Sequence, residues 1–271
     1  MSAQYAANMQ VAGETSERTD THPQRFLGRV DYYNRYRPTY PAAILDILSE
    51  QCGLGRNTHA ADIGAGTGIF AQLLLDLCGH VTAVEPSPEM RVACTALQSR
   101  YPHLRIQDGT AEATGLPAQS IDLLSVAQAF HWFRATACRK EFVRCLRPNG
   151  WCVVVYNRRH LAGDAFHEEY ERFTERHGID YLDVMARYPD EQSLRGFFAP
   201  SHVDVYHVPH SQVLDLEALL GRTISSTYMP SPVDPRFAAM RTHLEDIFNR
   251  HEQNGVVRLE YTCMATVGRL A

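Results

Sequence analysis

The sequence predicts an α/β fold, a doubly wound, seven-stranded and mostly parallel sheet with a helical lid inserted after the fifth strand. Short apolar runs alternate with amphipathic stretches between residues 59 and 157, which favours parallel strands covered by helices on both faces. A glycine turn at residues 64–68 separates the first run from the stretch after it. The alternation then stops, because residues 160–198 contain no strand-like run.

The first half of the chain divides into a leader, a short aromatic segment and the alternating core. Residues 1–24 are polar and lack apolar periodicity, which is typical of a flexible leader. Residues 25–41 are rich in tyrosine and arginine and precede a helix in AAILDILSEQCGL. The core spans 42–157, and its five strands are expected in HAADIGAG, HVTAVEPS, LRIQDGTAE, SIDLLSVAQAF and WCVVVYN.

The second half of the chain supplies the lid and completes the sheet. Residues 158–200 carry charge on one helical face and aromatic side chains on the other, which predicts an inserted helical cover. Residues 201–271 then contribute the last two strands, VDVYHVPHSQVL and VVRLEYTCMATVGRL, with two helices between them. Residues 25–271 are therefore expected to form a single domain.

The composition excludes several classes of protein. The 271 residues include 26 basic and 31 acidic side chains, a net charge of −5, so no overall positive field attracts nucleic acid or an anionic membrane. No stretch approaches the roughly 18 apolar residues of a membrane span, and the start lacks a signal-peptide pattern, so a cytoplasmic protein is expected. Seven cysteines without a CxxC pair and thirteen histidines without HExxH predict neither disulfides nor a metal site.

The glycine turn carries the most information about function. It reads DIGAGTG from Asp62 to Gly68, between a strand and a helix, where backbone N–H groups and a helix N-terminus approach a ligand. Its spacing is GxGxG, with Ile69 where a dinucleotide fingerprint has its third glycine. The carboxylate of Asp62 would repel a pyrophosphate but attract a cation.

A second acid suits the same ligand. Glu85 ends the next strand, 21 residues after Gly64, where an acid accepts hydrogen bonds from ribose hydroxyls. Together the two acids indicate a ligand with an adenosine-like ribose and a positive charge but no pyrophosphate.

These segments resemble the signature of class I S-adenosylmethionine-dependent methyltransferases. DIGAGTG and VEPSPEM carry the resemblance, and GTAE, IDLLSVAQAFHWF and LRPNGW follow in the expected order. The resemblance covers about residues 32–156, and it implies a Rossmann-like fold with S-adenosyl-L-methionine as cofactor. YYNRYRPTYP and AQAFHWF further resemble the small-molecule branch, the methyltransferase type 11 and trans-aconitate methyltransferase-like enzymes.

The resemblance also implies which residues bind the cofactor. Arg37 is expected to clamp the cofactor's carboxylate beside Tyr33 or Tyr36, and Gln128 to lie next to its methionine part. Near the adenine, Asp108 either substitutes for an aspartate that many relatives have at the Thr110 position or caps the strand. The complete predicted set is Arg37, Tyr36, Asp62, Gly64, Ala65, Gly66, Thr67, Glu85, Pro86, Thr110, Ala111, Glu112 and Gln128.

Three residues are candidates for the chemical step: His131, Tyr33 and His160. A histidine with a pKa near 6.5 suits proton removal at neutral pH, and the alternative for His131 is a structural role packed against Trp132. His160 belongs to a polar run, 157–160, at the end of the fifth strand, which either faces the crevice or forms a solvated loop. Further on, Ser225, Ser226 and Tyr228 either contact the substrate or form an ordinary helix end.

The function predicted from the sequence is methyl transfer from S-adenosylmethionine to a small-molecule acceptor. The aromatic side chains of the leader and lid favour a hydrophobic or aromatic acceptor, such as a natural-product intermediate. The alternatives are a non-catalytic S-adenosylmethionine-binding protein and an NAD-dependent oxidoreductase, which Asp62 and the glycine spacing disfavour. Nucleic acid is disfavoured as a substrate, because QAFH stands where a (D/N)PPY-type tetrapeptide would be. The acceptor atom and the oligomeric state are left open.

Overall fold

The computed structural model describes residues 28–270, so the expected leader at 1–24 lies outside the described residues. The strands are β1 (His59–Ile63), β2 (His80–Val84), β3 (Leu104–Gln107), β4 (Ile121–Ala127), β5 (Leu146–Arg159), β6 (Val203–Leu214) and β7 (Val257–Gly268). The helices are α1 (Val30–Tyr36), α2 (Ala43–Cys52), α3 (Ile69–Leu77), α4 (Pro88–Thr95), α5 (Ala135–Cys145), α6 (Ala165–His177), α7 (Tyr181–Ala186), α8 (Glu191–Phe198), α9 (Leu216–Ile224) and α10 (Phe237–His251).

The seven strands form one sheet in the order β3-β2-β1-β4-β5-β7-β6. Strands β1 to β5 pair in parallel, and β7 runs antiparallel to both of its neighbours. This confirms the predicted doubly wound and mostly parallel sheet. The order reverses between β1 and β4, and at such a switch point the strand ends leave a crevice for a ligand.

The strands are placed as the sequence predicts, and the largest differences are at two of their bounds. The third was expected to reach Glu112, whereas β3 ends at Gln107, because the chain then turns at an isolated bridge between Thr110 and Ala113. The fifth was expected to begin near Trp151, whereas β5 begins at Leu146. Its first residue already pairs with Ile121 of β4, ahead of an irregularity in the register.

Local sequence explains where the later helices begin. Asp164, Asp190 and Asp215 each precede a helix, and each side chain accepts a hydrogen bond from a backbone N–H in the first turn. Such caps satisfy donors that the helix itself leaves free. Residues 160–198 contain helices and no strand, as predicted. Within residues 28–270, no helix is long and apolar enough to cross a membrane.

The first helix packs on a helix that lies far away in sequence. Helix α1 contacts α9, and the ring of Tyr36 lies where a Cβ on Gly221 would stand, 2.2 Å from its Cδ2 atom. The guanidinium of Arg29 donates to the carbonyls of Ile224 at 2.6 Å and Met229 at 2.7 Å. These contacts join the aromatic segment before the core to the chain that follows β6.

Candidate ligand site at the switch point

The candidate site lies where β1 and β4 end, at the reversal of the strand order. A small cavity of about 30 Å³ opens there. It is lined by Tyr33, Arg37, Pro38, Tyr40, Asp62, Gly64, Ala65, Ile69, Phe70, Ala127 and Gln128. Five of these were predicted cofactor-binding residues and Tyr33 was a predicted catalytic residue, so the structure brings distant segments of the prediction together.

The glycine turn brings its backbone against the end of β2. The N–H groups of Gly64 and Ala65 donate to the carbonyl of Val84 at 2.8 and 3.2 Å. Gly64 has φ +68°, and a Cβ there would lie 2.8 Å from the Cβ of Ala129, so both its conformation and its surroundings require glycine. Above Gly66 the space is open, and the nearest atom to an added Cβ is Cε1 of Tyr33 at 4.0 Å.

Asp62 ends β1 as a buried carboxylate with an unused oxygen. The hydroxyl of Ser125 donates to its Oδ1 at 2.7 Å, and Oδ2 is buried without a hydrogen-bond partner. Burial raises the pKa of Asp62 from 3.8 to about 7, although the Ser125 hydrogen bond opposes the shift. A buried carboxylate is costly unless a partner satisfies it, so this oxygen favours a cationic or hydrogen-bond-donating ligand.

Glu85 lies one strand away and also faces the glycine turn. Its two carboxylate oxygens accept hydrogen bonds from the N–H of Gly66 at 2.9 Å and of Ser87 at 2.8 Å. Burial raises its pKa, and these two hydrogen bonds oppose that shift. A carboxylate has about four lone-pair sites, so Glu85 keeps acceptor capacity for ligand hydroxyls. The predicted neighbour Pro86 is half-buried beside it.

Gln128 follows β4 in a backbone conformation that is rare for its residue type. Its φ is +56°, and such outliers outside glycine concentrate at functional sites. The side-chain amide donates to the carbonyl of Asn157 at 3.0 Å, while Oε1 is buried without a hydrogen-bond partner. Asn157 in turn donates to the carbonyl of Thr39 at 2.9 Å, which ties the end of β5 to the aromatic segment.

The aromatic segment covers the cavity with Tyr33 and Arg37 but turns Tyr36 away. The guanidinium of Arg37 lies 5.0 Å from the centre of the Tyr33 ring and donates from Nη2 to the carbonyl of Ser225 at 2.9 Å. Its Nε is buried without a hydrogen-bond partner. The hydroxyl of Tyr36 instead donates to Glu217 at 2.8 Å. Helix α1 therefore presents different faces to the cavity and to α9.

The predicted adenine-binding residues lie after β3. Thr110 is exposed and Ala111 is buried in the turn that closes on Ala113. Glu112 accepts a hydrogen bond from the backbone N–H of Arg134 at 2.9 Å, which anchors the start of α5. Asp108 pairs with Arg91 at 2.8 Å, so its carboxylate fixes α4 against the strand end.

The two candidate histidines have different surroundings. His131 is half-buried, its ring stacks on Tyr188 at 4.2 Å between centres, and its Nδ1 lies 3.2 Å from the hydroxyl of Tyr156. His160 is exposed, and its Nε2 lies 3.0 Å from the hydroxyl of Thr262. The structure thus sets His131 among aromatic rings and His160 on the outer surface of the β5–β7 pair.

Sequence reasoning missed three residues that the structure associates with the site. Ser125 supports Asp62, and a lone serine in the apolar run of β4 was the available signal. Tyr188 lies between α7 and α8 and stacks on His131. Arg222 lies in α9 and donates to Ser226, next to the Ser225 carbonyl that Arg37 contacts. An arginine flanked by apolar residues was a signal for Arg222, whereas nothing local distinguished Tyr188.

Comparison with known proteins agrees with this geometry. Residues 61–154 match the family model described as a methyltransferase domain. They include the glycine turn, both acids and the ends of β1, β2 and β4. The chain is 34% identical over 128 residues to an uncharacterized methyltransferase-like protein of Schizosaccharomyces pombe, covering 47% of this chain and 49% of that protein. It is 36% identical over 134 residues to an uncharacterized methyltransferase of Mycobacterium tuberculosis, covering 49% and 52%.

The chain spans about half the length of the curated relatives it matches, and solved structures share its fold more widely. One from Anaeromyxobacter dehalogenans, whose description names a type II methyltransferase, superposes with a TM-score of 0.62 at 22% identity, over 87% of this chain and 98% of that one. A SAM-dependent methyltransferase from Aquifex aeolicus gives 0.53 at 12% identity, over 90% and 98%. The fold is therefore the Rossmann-like fold of class I methyltransferases.

The residues around the cavity and the glycine turn fit S-adenosylmethionine. The unused Oδ2 of Asp62 suits the positively charged amino-acid part, and Glu85 retains acceptor capacity for the ribose hydroxyls. The unpartnered Nε of Arg37 and the open space above Gly66 suit a carboxylate and a close backbone approach. Within residues 28–270, no cluster of three histidine, cysteine, aspartate or glutamate side chains is arranged to hold a metal ion.

Proposed function

We propose that this chain transfers a methyl group from S-adenosylmethionine to a small-molecule acceptor with a hydrophobic or aromatic body. The observation that carries the proposal is the buried, unsatisfied oxygen of Asp62 beside a glycine turn of GxGxG spacing. A site for NAD would bring a pyrophosphate to this turn, and the Asp62 carboxylate would repel it. A cationic sulfonium compound is instead attracted.

The chain's own residues bind and orient the reactants in this proposal. S-adenosylmethionine, when bound, supplies an electrophilic methyl group for an SN2-like transfer. Asp62 and Arg37 bind the charged amino-acid part, Glu85 binds the ribose, and Gln128 offers its unused Oε1 beside them. Catalysis then rests on holding the acceptor in line and excluding water.

The acceptor is expected between the aromatic segment and the inserted helices. Tyr33, Trp132 and Tyr188 supply aromatic surface there, and the apolar character of this wall supports an aromatic or hydrophobic acceptor. His131 is the better candidate for a base, because it belongs to this wall while His160 is exposed. The hydroxyl of Tyr156 lies 3.2 Å from Nδ1 of His131 and orients its ring in this wall.

Calorimetry tests the cofactor. We expect wild-type protein to bind S-adenosylhomocysteine and not NAD. D62N should bind S-adenosylhomocysteine on the order of 10- to 100-fold more weakly, because a charged hydrogen-bond partner is lost. D204N is the matched control, because Asp204 lies on β6 and its side chain is 54% exposed. Tight NAD binding, or unchanged binding by D62N, would contradict the proposal.

Turnover tests the activity and separates it from a non-catalytic binding protein. Labelled methyl groups from S-adenosylmethionine should appear on one or more acceptors of a metabolite panel, and H131A should slow acceptors that must lose a proton. H160A is the comparison for the exposed histidine and should have little effect. Cofactor binding without transfer to any acceptor would favour the non-catalytic alternative.

A further inference from the structure

Arg222 is a buried cation with no acidic partner. It lies in the last turn of α9 and is 7% exposed. Its Nε donates to the hydroxyl of Tyr261 at 3.2 Å and its Nη1 to the hydroxyl of Ser226 at 2.9 Å. Both partners are neutral, and among residues 28–270 no carboxylate forms an ion pair with Arg222.

A neighbouring buried arginine shows the usual arrangement. Arg159 forms an ion pair with Glu171, and the hydroxyl of Tyr181 donates to the other oxygen of that carboxylate at 2.7 Å. The charge of Arg159 is thus balanced within the chain, whereas that of Arg222 is not. Burying an unpaired charge is costly, and the weak negative end of α9 offsets only part of that cost. Arg222 therefore differs from Arg159 in having no carboxylate beside it to balance its charge.

Arg222 lies next to the segment that covers the candidate cavity. It donates to the hydroxyl of Ser226, and the cavity-lining Arg37 donates to the carbonyl of Ser225 at 2.9 Å. The Arg37 guanidinium in turn lies 5.0 Å from the centre of the Tyr33 ring. Burial raises the pKa of Tyr33, and the charges of both Arg222 and the carboxylates Glu85 and Asp62 act on this ring. Burial also raises the pKa of Tyr188 to about 12, and Arg222 is among the charges that act on it. Tyr33 approaches Gly66 at the cofactor side. Ser225 and Ser226 therefore bring Arg222 close to Arg37 and Tyr33, which line the cavity.

We propose that Arg222 binds a carboxylate of the acceptor, so that the substrate is a small organic carboxylic acid with an aromatic or apolar body. This proposal rests on the proposed function, because it assigns the acceptor of the same site. The hydrogen bonds of Arg222 come from Nε and Nη1, which leaves Nη2 for a ligand oxygen. A planar guanidinium matches the two oxygens of a carboxylate in shape.

A purely structural role for Arg222 predicts different behaviour. Arg222 also belongs to a chain of hydrogen bonds in which Tyr261 donates to Gln212 at 2.8 Å. Were this its whole role, removing its charge would change stability without changing which ligands bind. The discriminating readout is therefore the preference for a charged ligand over a neutral ligand of the same shape.

The test uses the full chain and two carboxylates, benzoate and phenylacetate, each paired with its neutral amide. Calorimetric titrations are run with and without saturating S-adenosylhomocysteine. We expect wild-type protein to bind at least one carboxylate tenfold or more tightly than its amide. R222Q should lose that preference and keep its affinity for S-adenosylhomocysteine. R241Q is the control, since Arg241 is an exposed residue paired with Glu245.

R222K retains the charge but not the planar fork, and it serves if R222Q does not fold. It should weaken carboxylate binding several-fold and leave amide binding unchanged. The proposal would be overturned if the wild type bound no carboxylate, bound acids and amides equally, or bound inorganic phosphate more tightly. It would also be overturned if the folded variants kept the wild type's preference for acids. Failure of S-adenosylhomocysteine to bind would instead overturn the proposed function, because the carboxylate titrations are also run without it.

Discussion

Replacing Asp62 with asparagine should make the ligand-free protein more stable at neutral and alkaline pH. Burial raises the pKa of this carboxyl from 3.8 to about 7. The folded protein therefore keeps a proton that the unfolded chain has lost, so the free energy of unfolding falls as the pH rises from about 4 to above 7. At about 1.36 kcal/mol per pKa unit, the ionisation of this carboxyl lowers the free energy of unfolding of the wild type by roughly 3 kcal/mol from pH 5 to pH 8.

D62N removes the titration and keeps the local contact, because its amide oxygen can still accept the hydrogen bond from Ser125. We expect the stability difference between D62N and the wild type to grow by roughly 3 kcal/mol from pH 5 to pH 8 in favour of D62N. This corresponds to about 5 to 10 °C in Tm for a chain of this size. Urea unfolding followed by circular dichroism, without ligand and at four pH values across this range, measures the difference.

The exposed acid Asp108 supplies the control for this experiment. Its side chain is 73% exposed, so D108N should stay within about 0.5 kcal/mol of the wild type at every pH. A stability difference between D62N and the wild type that is constant from pH 5 to pH 8 would refute the reasoning, because Asp62 would then not titrate in this range.

Three further predictions follow from the same contacts. Binding of S-adenosylhomocysteine should strengthen by up to tenfold per pH unit as the pH rises towards 7 and then level off, because the ligand's ammonium favours ionised Asp62. Calorimetry from pH 5.5 to 8 measures this dependence, and an affinity that does not change with pH would argue against it. E85Q should bind S-adenosylhomocysteine about 10-fold more weakly, since a neutral amide replaces a carboxylate acceptor; unchanged affinity in the same titration would exclude Glu85 from the ribose site. G221A should loosen α1 and lower the free energy of unfolding by roughly 1 to 3 kcal/mol, because its Cβ would meet the Tyr36 ring at 2.2 Å. G196A has open space on α8 and should raise the free energy of unfolding by up to about 1 kcal/mol. Urea unfolding and hydrogen exchange of residues 30–37 compare the two variants, and equal exchange in both would show that the contact of Tyr36 with Gly221 does not hold α1.

The fold was predictable because its signals are local. Each strand of the core is a short apolar run, and the glycine turn lies directly between a strand and a helix, so neighbouring residues suffice to place Asp62 and Glu85 at strand ends. The acids then meet because parallel strands end at the same edge of the sheet. Bounds were less predictable: β5 begins at Leu146 because it pairs with β4, and a cross-strand partner is not visible in the local pattern.

The acceptor side was less predictable because its residues meet only through tertiary packing. Tyr188 reaches His131 across 57 positions of sequence, and Arg37 reaches the carbonyl of Ser225 across 188. The orientation of Tyr36 was likewise not predictable from the local sequence. A run of tyrosines before the core indicates a cover for the site, but only the packing of α1 on α9 decides that Tyr33 faces the cavity and Tyr36 faces Glu217.

Two buried groups of opposite charge, Asp62 and Arg222, belong to adjacent parts of one proposed site. Asp62 and Arg222 are both buried, and neither has an oppositely charged partner among the residues described. Each therefore destabilises the free protein, and a cationic cofactor and an anionic acceptor would each remove one of these costs. Because a ligand that binds only the folded state stabilises it, S-adenosylhomocysteine and benzoate should each raise the Tm of the wild type. The increment from S-adenosylhomocysteine should shrink in D62N, and the increment from benzoate should shrink in R222Q. A shared, non-specific effect would be the same in both variants and the wild type.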